Sequence, residues 1–310
     1  MLPAPRVLAY DQMIGRLSWP DAVEALRRGH ALPRAEIRDA FLGPPTGTMM
    51  SRSAHIPGLG YGAKTFTVFD ANAARGLPTV QGAMLVFDDA TGSLRAIVDS
   101  PLVTEIKTAA DSVLGASLLA RPDSQHLLVV GAGTVAASLV RAYTAVLPGI
   151  RRVSVWSRRP EQAQALVAGL SGIPADLAAV SDLPSAVAQA DIVSTATMAR
   201  TPVILGDWVR PGTHVDLIGA YKADMREADD ALMRKAALFV DSRATTLGHI
   251  GELLMPLASG AISVASVLGD LYDLIRPDAR TRRLADEITV YKNGGGAHLD
   301  LMIADYIAGL

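Results

Sequence analysis

The chain has 310 residues, of which 50% are hydrophobic and 19% are charged, and its formal net charge is −2. This composition is typical of a compact globular protein and excludes a largely disordered chain. The near-neutral charge predicts no nucleic-acid or anionic-membrane partner, and the absence of cysteine excludes a disulfide framework, a thiol nucleophile and a cysteine metal site.

The N-terminal residues, MLPAPRVLAYDQM, lack the apolar segment of a signal peptide. The longest uncharged apolar run lies between His126 and Arg141. It is shorter than the roughly 20 residues that span a bilayer, and two glycines interrupt it. We therefore expect a soluble protein with a cytoplasmic location.

The first third of the chain has an α+β pattern. Apolar residues recur at helical spacing over Trp19–Ala31, with an acidic residue near the start. Strands are predicted over 59–69, 82–88 and 94–98, and a long helix over 104–120.

After Pro122 the pattern changes to alternating strands and helices. This alternation predicts an α/β domain with a doubly wound parallel sheet of the Rossmann type. The last stretch, 289–310, reads as a strand, a glycine turn and a closing helix, and its pattern alone assigns it to neither part of the chain. The predicted strands of the sheet are 127–130, 153–156, 192–195, 214–218 and 238–241.

The segment LLVVGAGTVAASLVRAY carries a dinucleotide-binding pattern. Gly131 permits a tight turn after a strand, Gly133 lets the backbone approach a pyrophosphate, and Ala136 lets the helix pack closely on the strand. Thr134 and Val135 complete the turn, at the helix N-terminus that faces the phosphates. A tight turn without a ligand is the alternative interpretation.

The end of the second strand of such a fold discriminates between NAD and NADP. Here it reads Trp156-Ser157-Arg158-Arg159, without an acidic residue before Glu161. A hydroxyl and two guanidinium groups suit a 2′-phosphate, so NADP(H) is favoured over NAD(H). Alternatively, one of the arginines is solvated surface.

Small and hydroxylated residues follow another strand, in the stretch DIVSTAT. Because a doubly wound sheet binds ligands at the carboxyl ends of its strands, Thr195, Ala196 and Thr197 are candidate cofactor-binding residues, as is Ile218 at the end of the next strand. The hydroxyl groups are also suited to capping a helix. The six histidines lack metal-ligand spacing, so no metal site is predicted.

Eight motifs in this order resemble the ornithine cyclodeaminase/mu-crystallin family, from about residue 20 to the end of the chain. They are GAKTFTVF, GLPTVQG, TEIKTAADSVLGASLLAR, GAGTVA, WSRRPEQA, GAYKADMREADD, VDSR and YKNGGGAHLD. The resemblance implies a homodimer. It also implies a Rossmann domain over 122–288 and a substrate-binding and dimerisation domain over 1–121, onto which 289–310 folds back.

The resemblance also implies a substrate site. The family binds a substrate carboxylate at the positions of Arg52, Lys64 and Lys107. Asp300 matches an acidic residue that recurs in the family. Lys107 stands where the family has arginine, so the positive charge is kept but a bidentate hydrogen-bond donor is lost. Tyr221 stands where the cyclodeaminases have an aspartate, although Asp224 is near it in the sequence. Val135 stands where many members have glutamine.

Two of these cations have alternative interpretations when the residues are taken alone. Lys64 lies in an otherwise apolar strand, where an unpaired charge is costly, so its ammonium reaches either solvent or an anion. Arg52 lies in a segment without a strand pattern, and we expect it in a loop, either at the surface or at the substrate.

These observations predict an NAD(P)-dependent oxidoreductase of amino acid metabolism, a reductase of cyclic imines or ketimines that carry a carboxylate, of the pyrroline- or piperideine-2-carboxylate type. The first alternative is ornithine cyclodeaminase, which forms proline and ammonia from ornithine and recycles NAD. The second is a non-catalytic, NADPH-dependent ligand-binding protein of the crystallin kind.

Overall fold

A computed structural model describes residues 4–279 and 284–310. The chain divides into two compact units. The first comprises the residues up to Lys107 together with Gly296–Leu310, and the second comprises Thr108–Gly295. The division thus falls inside the predicted helix 104–120 rather than after it.

The first unit contains a six-stranded sheet in the order β1-β6-β5-β4-β3-β2, in which β1 and β6 are parallel and the other neighbours antiparallel. Its strands are β1 Arg6–Leu8, β2 Glu36–Leu42, β3 Thr48–Ile56, β4 Gly60–Val68, β5 Val80–Phe87 and β6 Leu94–Asp99. Its helices are α1 Tyr10–Met13, α2 Trp19–Ala31, the start of α3 Ser100–Leu119, and α11 Ala297–Ala308.

Helix α2 has the predicted bounds. The Ser18 side chain accepts a hydrogen bond from the Asp21 N–H at 3.3 Å, which caps the first turn. The apolar face is buried, and Gly29 lies directly against Met302 of α11, so any larger residue there would collide with that side chain. The helical spacing of apolar residues therefore indicated the face of α2 that packs within the first unit.

The strands predicted near 59–69, 82–88 and 94–98 are confirmed to within two residues as β4, β5 and β6. Strands β1, β2 and β3 were not predicted. Arg52 consequently lies in β3 and not in a loop, which corrects the sequence interpretation. The segment around Arg52 alternates polar and apolar residues too weakly to indicate a strand. Its extended conformation is instead stabilised by antiparallel pairing with β4.

The second unit contains an eight-stranded parallel sheet, which confirms the Rossmann-type α/β class. Its strands are β7 His126–Val130, β8 Arg152–Trp156, β9 Asp176–Val180, β10 Ile192–Thr195, β11 His214–Leu217, β12 Ala237–Val240, β13 Val267–Gly269 and β14 Thr289–Lys292. Its helices, besides the end of α3, are α4 Thr134–Val146, α5 Pro160–Gly169, α6 Leu183–Gln189, α7 Asp230–Lys235, α8 Arg243–Thr246, α9 Gly251–Ala258 and α10 Leu271–Leu274.

The strand order is β13-β12-β14-β11-β10-β7-β8-β9. Strands β8 and β9 extend from one side of β7, and β10 pairs with its other side. This reversal of direction creates a crevice at the carboxyl ends of β7 and β10, which is where doubly wound sheets bind ligands. Strand β14 lies between β11 and β12, so 289–295 belong to the second unit, and only 296–310 belong to the first.

Within residues 4–279 and 284–310, no helix has both the length and the apolar character needed to span a membrane. The same residues contain no group of three acidic or histidine side chains arranged to hold a metal ion.

Candidate functional site

The turn after β7 is built around Gly131. Its φ of +134° is a backbone conformation that residues with a side chain rarely adopt, and a Cβ there would lie 2.6 Å from the carbonyl oxygen of Ala196. Gly131 is therefore required by the protein's own backbone, which makes the sharp turn into α4.

Gly133 presents a different case. Its φ is −92°, and a Cβ built there would meet no protein atom within 4 Å. Neither conformation nor packing within the described chain demands glycine at this position. The open space lies at the start of α4, whose first N–H groups and dipole favour an anionic group. The residues present thus fit the pyrophosphate of a dinucleotide.

A cavity of about 260 Å³ lies at the carboxyl ends of β7, β8 and β10. It brings together six of the predicted cofactor-binding residues, Gly131, Ser157, Arg158, Arg159, Ala196 and Thr197. The other predicted residues, Gly133, Thr134, Val135, Ala136, Thr195 and Ile218, do not line it. Sequence reasoning missed the remaining lining residues, Ala132, Trp156, Gln162, Met198, Ala199 and Val203.

Two guanidinium groups stand at the mouth of this cavity. Arg158 and Arg159 are exposed, and neither pairs with an acidic side chain of the described chain. The Arg159 N–H donates to Ser157 Oγ at 3.4 Å, and α5 begins directly after Arg159. Two unpaired cations and a helix N-terminus therefore lie beside the cavity, an arrangement that attracts a phosphate group.

A second set of predicted residues meets in the first unit. The register of β3 and β4 places Arg52 directly opposite Lys64, so their side chains project from the same face of the sheet. The Arg52 guanidinium pairs with Asp39 at 3.0 Å. The Lys64 ammonium is buried, donates to Asp300 Oδ1 at 2.8 Å and donates to Thr104 Oγ1 at 3.1 Å.

Asp300 lies in the first turn of α11 and is fully buried. Burial by itself would raise the pKa of its carboxyl group, but the positive charges of Lys64, Lys107 and Arg52 outweigh burial and lower the pKa below its ordinary value. Burial, only partly offset by Asp300, lowers the pKa of Lys64. Asp300 is consequently held as a carboxylate. Its Oδ2 atom is buried and receives no hydrogen bond from a described residue.

Lys107 is the third cation of this cluster. It lies on α3 and is 7% exposed. Among the described residues, no carboxylate pairs with its ammonium, and no group accepts a hydrogen bond from it. Lys107 differs in this respect from Arg52 and Lys64, which each have an acidic partner. Within residues 4–279 and 284–310, the charge of Lys107 is therefore left without a compensating acidic side chain.

His298 also lies in this cluster, although sequence reasoning did not include it among the site residues. Its ring is fully buried and meets the ring of His30 edge-on, with 5.5 Å between the centroids. Burial, together with the charges of His30 and Lys107, lowers the pKa of His298 well below its ordinary value. The imidazole is therefore neutral at physiological pH. A histidine two residues before Asp300 was the available sequence signal.

Tyr221, predicted to contact substrate, lies on the loop after β11 and is 50% exposed. The Lys222 ammonium lies 5.3 Å from the centre of its ring. Asp224 forms an exposed ion pair with Arg200 at 2.9 Å, and the hydrogen bond from Arg200 lowers the pKa of Asp224. This acidic side chain is therefore already engaged elsewhere.

The model of the ornithine cyclodeaminase/mu-crystallin family matches residues 46–309. Delta(1)-pyrroline-2-carboxylate reductase of Paracoccus denitrificans is 82% identical over 305 residues, which cover 98% of this chain and 96% of the relative.

Two solved structures resemble the chain over 98% of its length. One is Delta(1)-pyrroline-2-carboxylate reductase of Thermococcus litoralis in complex with NADH and L-proline, with a TM-score of 0.90, 25% identity and 96% of that chain covered. The other is an archaeal alanine dehydrogenase dimer with bound NAD, with a TM-score of 0.90, 26% identity and 95% of that chain covered. These similarities agree with the fold and with the cavity at the glycine turn.

Proposed function

Because the chain belongs to the ornithine cyclodeaminase/mu-crystallin family, we propose that it reduces a cyclic imine that carries a carboxylate on the imine carbon, with NAD(P)H as the hydride donor. Within this class we propose Delta(1)-pyrroline-2-carboxylate as the substrate and proline as the product. Support comes from the P. denitrificans reductase at 82% identity and from the T. litoralis reductase that binds NADH and L-proline.

One observation carries the proposal at the level of the residues. The buried Lys107 ammonium has no anionic partner, and the buried Oδ2 atom of Asp300 has no donor, within the described part of the chain. The two groups influence each other electrostatically. A protonated imine with an adjacent carboxylate supplies both missing partners, an anion for Lys107 and an N–H for Asp300.

The chemistry follows from this placement. When bound, the reduced nicotinamide supplies a hydride to the imine carbon. Protonation of the imine nitrogen makes that carbon electrophilic, and the Asp300 carboxylate stabilises the positive charge. Addition of the hydride converts the iminium ion into a neutral secondary amine. The protein accelerates the step by fixing the reacting atoms in near-attack geometry.

Arg52 and Lys64 complete the proposed substrate site. Each already has an acidic partner, so each contributes less unbalanced charge than Lys107. We assign Lys64 to holding the Asp300 carboxylate, and we assign Arg52 to the outer side of the substrate carboxylate. Tyr221 is retained as a proposed substrate contact from the loop after β11, as the family resemblance implies.

NAD(H) is bound in the related structures, and we propose that this chain prefers NADP(H). The two unpaired guanidinium groups of Arg158 and Arg159 beside the cavity support this preference. Replacing both arginines with glutamine should raise the Kd of NADPH at least tenfold, because one charge-assisted contact contributes roughly 1.5–3 kcal/mol. The Kd of NADH should stay within about twofold. Equal losses for both cofactors would contradict the assignment.

We also propose a homodimer and a cytoplasmic location. The exposed apolar side chains of the first unit support self-association, as does the dimeric alanine dehydrogenase of similar fold. A reductase that consumes NAD(P)H has to work where the cell supplies this cofactor, which supports the cytoplasm.

The experiment that tests the function is an activity panel with purified protein. NADPH and NADH are each incubated with Delta(1)-pyrroline-2-carboxylate, with its six-membered analogue and, separately, with ornithine without added reductant. Oxidation of the cofactor by a cyclic imine, with stoichiometric formation of the corresponding cyclic amino acid, is expected. Proline and ammonia from ornithine would favour the cyclodeaminase. Tight imine binding without turnover would favour a crystallin-like binding protein.

A further inference from the structure

Glu227 is a fully buried carboxylate that no part of the proposed mechanism uses. Its Oε1 atom accepts hydrogen bonds from the Thr197 N–H and the Thr197 hydroxyl, each at 2.7 Å. Its Oε2 atom accepts hydrogen bonds from the Thr195 hydroxyl at 2.7 Å and from the Gly219 N–H at 2.6 Å. One side chain thus receives four hydrogen bonds.

These donors belong to two different loops. Thr195 and Thr197 lie at the end of β10 and in the loop that follows, and Gly219 lies in the loop after β11. Both loops leave the carboxyl edge of the sheet, and Thr197 itself lines the cavity. A Cβ at Gly219 would collide with the backbone of Thr197, so the loops touch directly. Glu227 therefore determines how the two loops are placed against each other.

Glu227 is itself held firmly. The two carboxyl oxygens of the fully buried Glu252 accept the N–H groups of Glu227 and Ala228 at 2.7 and 2.9 Å. The carbonyl oxygen of Glu227 accepts the N–H groups of Val203 and Ile204 at 2.8 and 2.9 Å. The Glu227 side chain consequently projects from backbone that is fixed on both sides, which is a requirement for positioning other groups.

We propose that Glu227 is a positioning residue for the dinucleotide, which acts by clamping the loops after β10 and β11 at the cofactor crevice. The inference rests on the proposed use of NAD(P)H. Glu227 lines no part of the cavity, and its effect on the cofactor passes through Thr197 and Gly219. Because a mispositioned loop weakens contacts without removing any cofactor ligand, the expected deficit is in cofactor affinity.

The hydrogen-bond pattern requires an oxygen acceptor at both ends of the Glu227 side-chain terminus. Each oxygen of Glu227 receives one backbone N–H, from Thr197 on one side and from Gly219 on the other. In Glu227→Gln, the amide NH₂ must face one of these N–H groups, and two donors cannot pair. The variant keeps the size of the side chain and loses one anchor of the clamp.

Asp229→Asn provides the matched control. Asp229 is two residues away, and its Oδ1 atom accepts the N–H groups of Gly206 and Leu232 at 2.9 and 2.8 Å, at sites that do not line the cavity. Both variants replace a carboxylate that receives backbone N–H groups with an amide of the same size. In D229N the amide oxygen still accepts both N–H groups, because both bond to Oδ1. An effect of losing a carboxylate charge should appear in both variants, whereas an effect of loop positioning should appear in E227Q alone.

The measurement is the Kd of NADPH and NADH by titration calorimetry without imine, together with the thermal midpoint of each variant. For the cofactor that the wild type binds, E227Q is expected to raise the Kd at least tenfold. It is also expected to raise the KM of that cofactor without a matching rise in the KM of the imine. D229N is expected to change the Kd by less than twofold. An unchanged Kd in E227Q, or equal Kd changes in both variants, would overturn the inference.

Thr195→Val keeps the test decisive if E227Q does not fold. This substitution preserves the shape of a fully buried side chain and removes one hydroxyl donor to Glu227. A two- to fivefold rise in cofactor Kd is expected, and no change would overturn the inference. If the wild-type protein bound neither cofactor, the proposed function would fail first, so the two failures are distinguishable.

Discussion

At the scale of single residues, the basic side chains of the first unit differ in how their charges are balanced. Arg52 pairs with Asp39 and Lys64 pairs with Asp300, whereas Lys107 has no acidic partner in the described chain. A buried charge without a partner destabilises a fold, and its retention is typical of a group that binds a ligand of opposite charge. Removal of Lys107 and removal of Lys64 should therefore have different consequences.

Lys107→Met should raise the KM of the imine at least tenfold, because one charge-assisted hydrogen bond contributes roughly 1.5–3 kcal/mol. The thermal midpoint of this variant should stay the same or rise, since an unpaired ammonium is lost. Lys64→Met should instead lower the free energy of unfolding by about 3–5 kcal/mol, because Asp300 keeps a buried charge without its partner. Steady-state kinetics and urea denaturation measure both effects.

The control is the double variant Lys64→Met with Asp300→Asn. It removes both charges of the pair, so it should regain most of the stability that K64M loses while activity stays low. A wild-type KM in K107M would contradict the assignment of the substrate carboxylate to this residue.

His298 makes a pH-dependent contribution to stability. Burial and the neighbouring His30 and Lys107 lower its pKa well below 6.5 in the folded state. As the pH falls below 6.5, the unfolded chain takes up a proton that the folded protein does not, and the free energy of unfolding decreases. Above that pH this contribution is fully present. Acid instability should therefore begin near the ordinary pKa of histidine.

His298→Leu should make the loss of stability between about pH 6.5 and pH 5 shallower, because it removes this proton uptake. Urea denaturation at several pH values measures the slope. His249→Leu is the matched control for the loss of a histidine, since His249 is exposed and this variant keeps the buried ring of His298. Identical slopes in H298L and the wild type would count against a neutral buried imidazole.

At the scale of elements, the turn from β7 into α4 contains two glycines with different tasks. Gly131→Ala should destabilise the protein by about 1–3 kcal/mol, because of its positive φ and the contact with Ala196. Gly133→Ala should leave the thermal midpoint unchanged or slightly raised, since its Cβ meets no protein atom. It should nevertheless raise the Kd of the cofactor strongly, because the methyl group occupies space needed by pyrophosphate.

Calorimetry of cofactor binding, combined with thermal denaturation, separates the two outcomes. Full cofactor affinity in a well-folded G133A variant would mean that the open space in front of α4 is not the phosphate site. A G131A variant as stable as the wild type would contradict the strain argument.

At the scale of the whole molecule, apolar side chains exposed on the first unit indicate self-association. Leu42 at the end of β2 is 60% exposed, and its neighbours Phe41 and Met49 are exposed as well. Leu42→Glu should shift the mass measured by light scattering from that of the proposed dimer toward that of a monomer, because it introduces a charge into the apolar surface. Val264→Glu is the control: Val264 is 61% exposed on the second unit, and the mass should stay unchanged. A dimeric L42E variant would place the interface elsewhere.

The features that the sequence predicted well are those encoded locally. Helix α2, the strand before Gly131 and the parallel β-α alternation follow from apolar periodicity and turn chemistry within short windows. The glycine turn and the arginines after β8 were found because neighbours in the sequence are also neighbours at the cavity. Family resemblance added Lys64, Lys107 and Asp300, which no local pattern brings together.

The features that the sequence did not predict depend on residues far apart in the chain. Strands β2 and β3, and the position of β14 between β11 and β12, are set by pairing partners rather than by their own composition.

The sequence by itself determined the class of the fold, the glycine turn and the arginines that follow β8. Only the tertiary structure decided which charges are compensated. Lys64 pairs with Asp300, 236 positions away, and Lys107 is left without an acidic partner among the described residues. The Glu227 clamp likewise joins three separate segments of the chain. Compensation of a buried charge depends on distance in space, and strand register and helix packing set that distance only after the chain has folded.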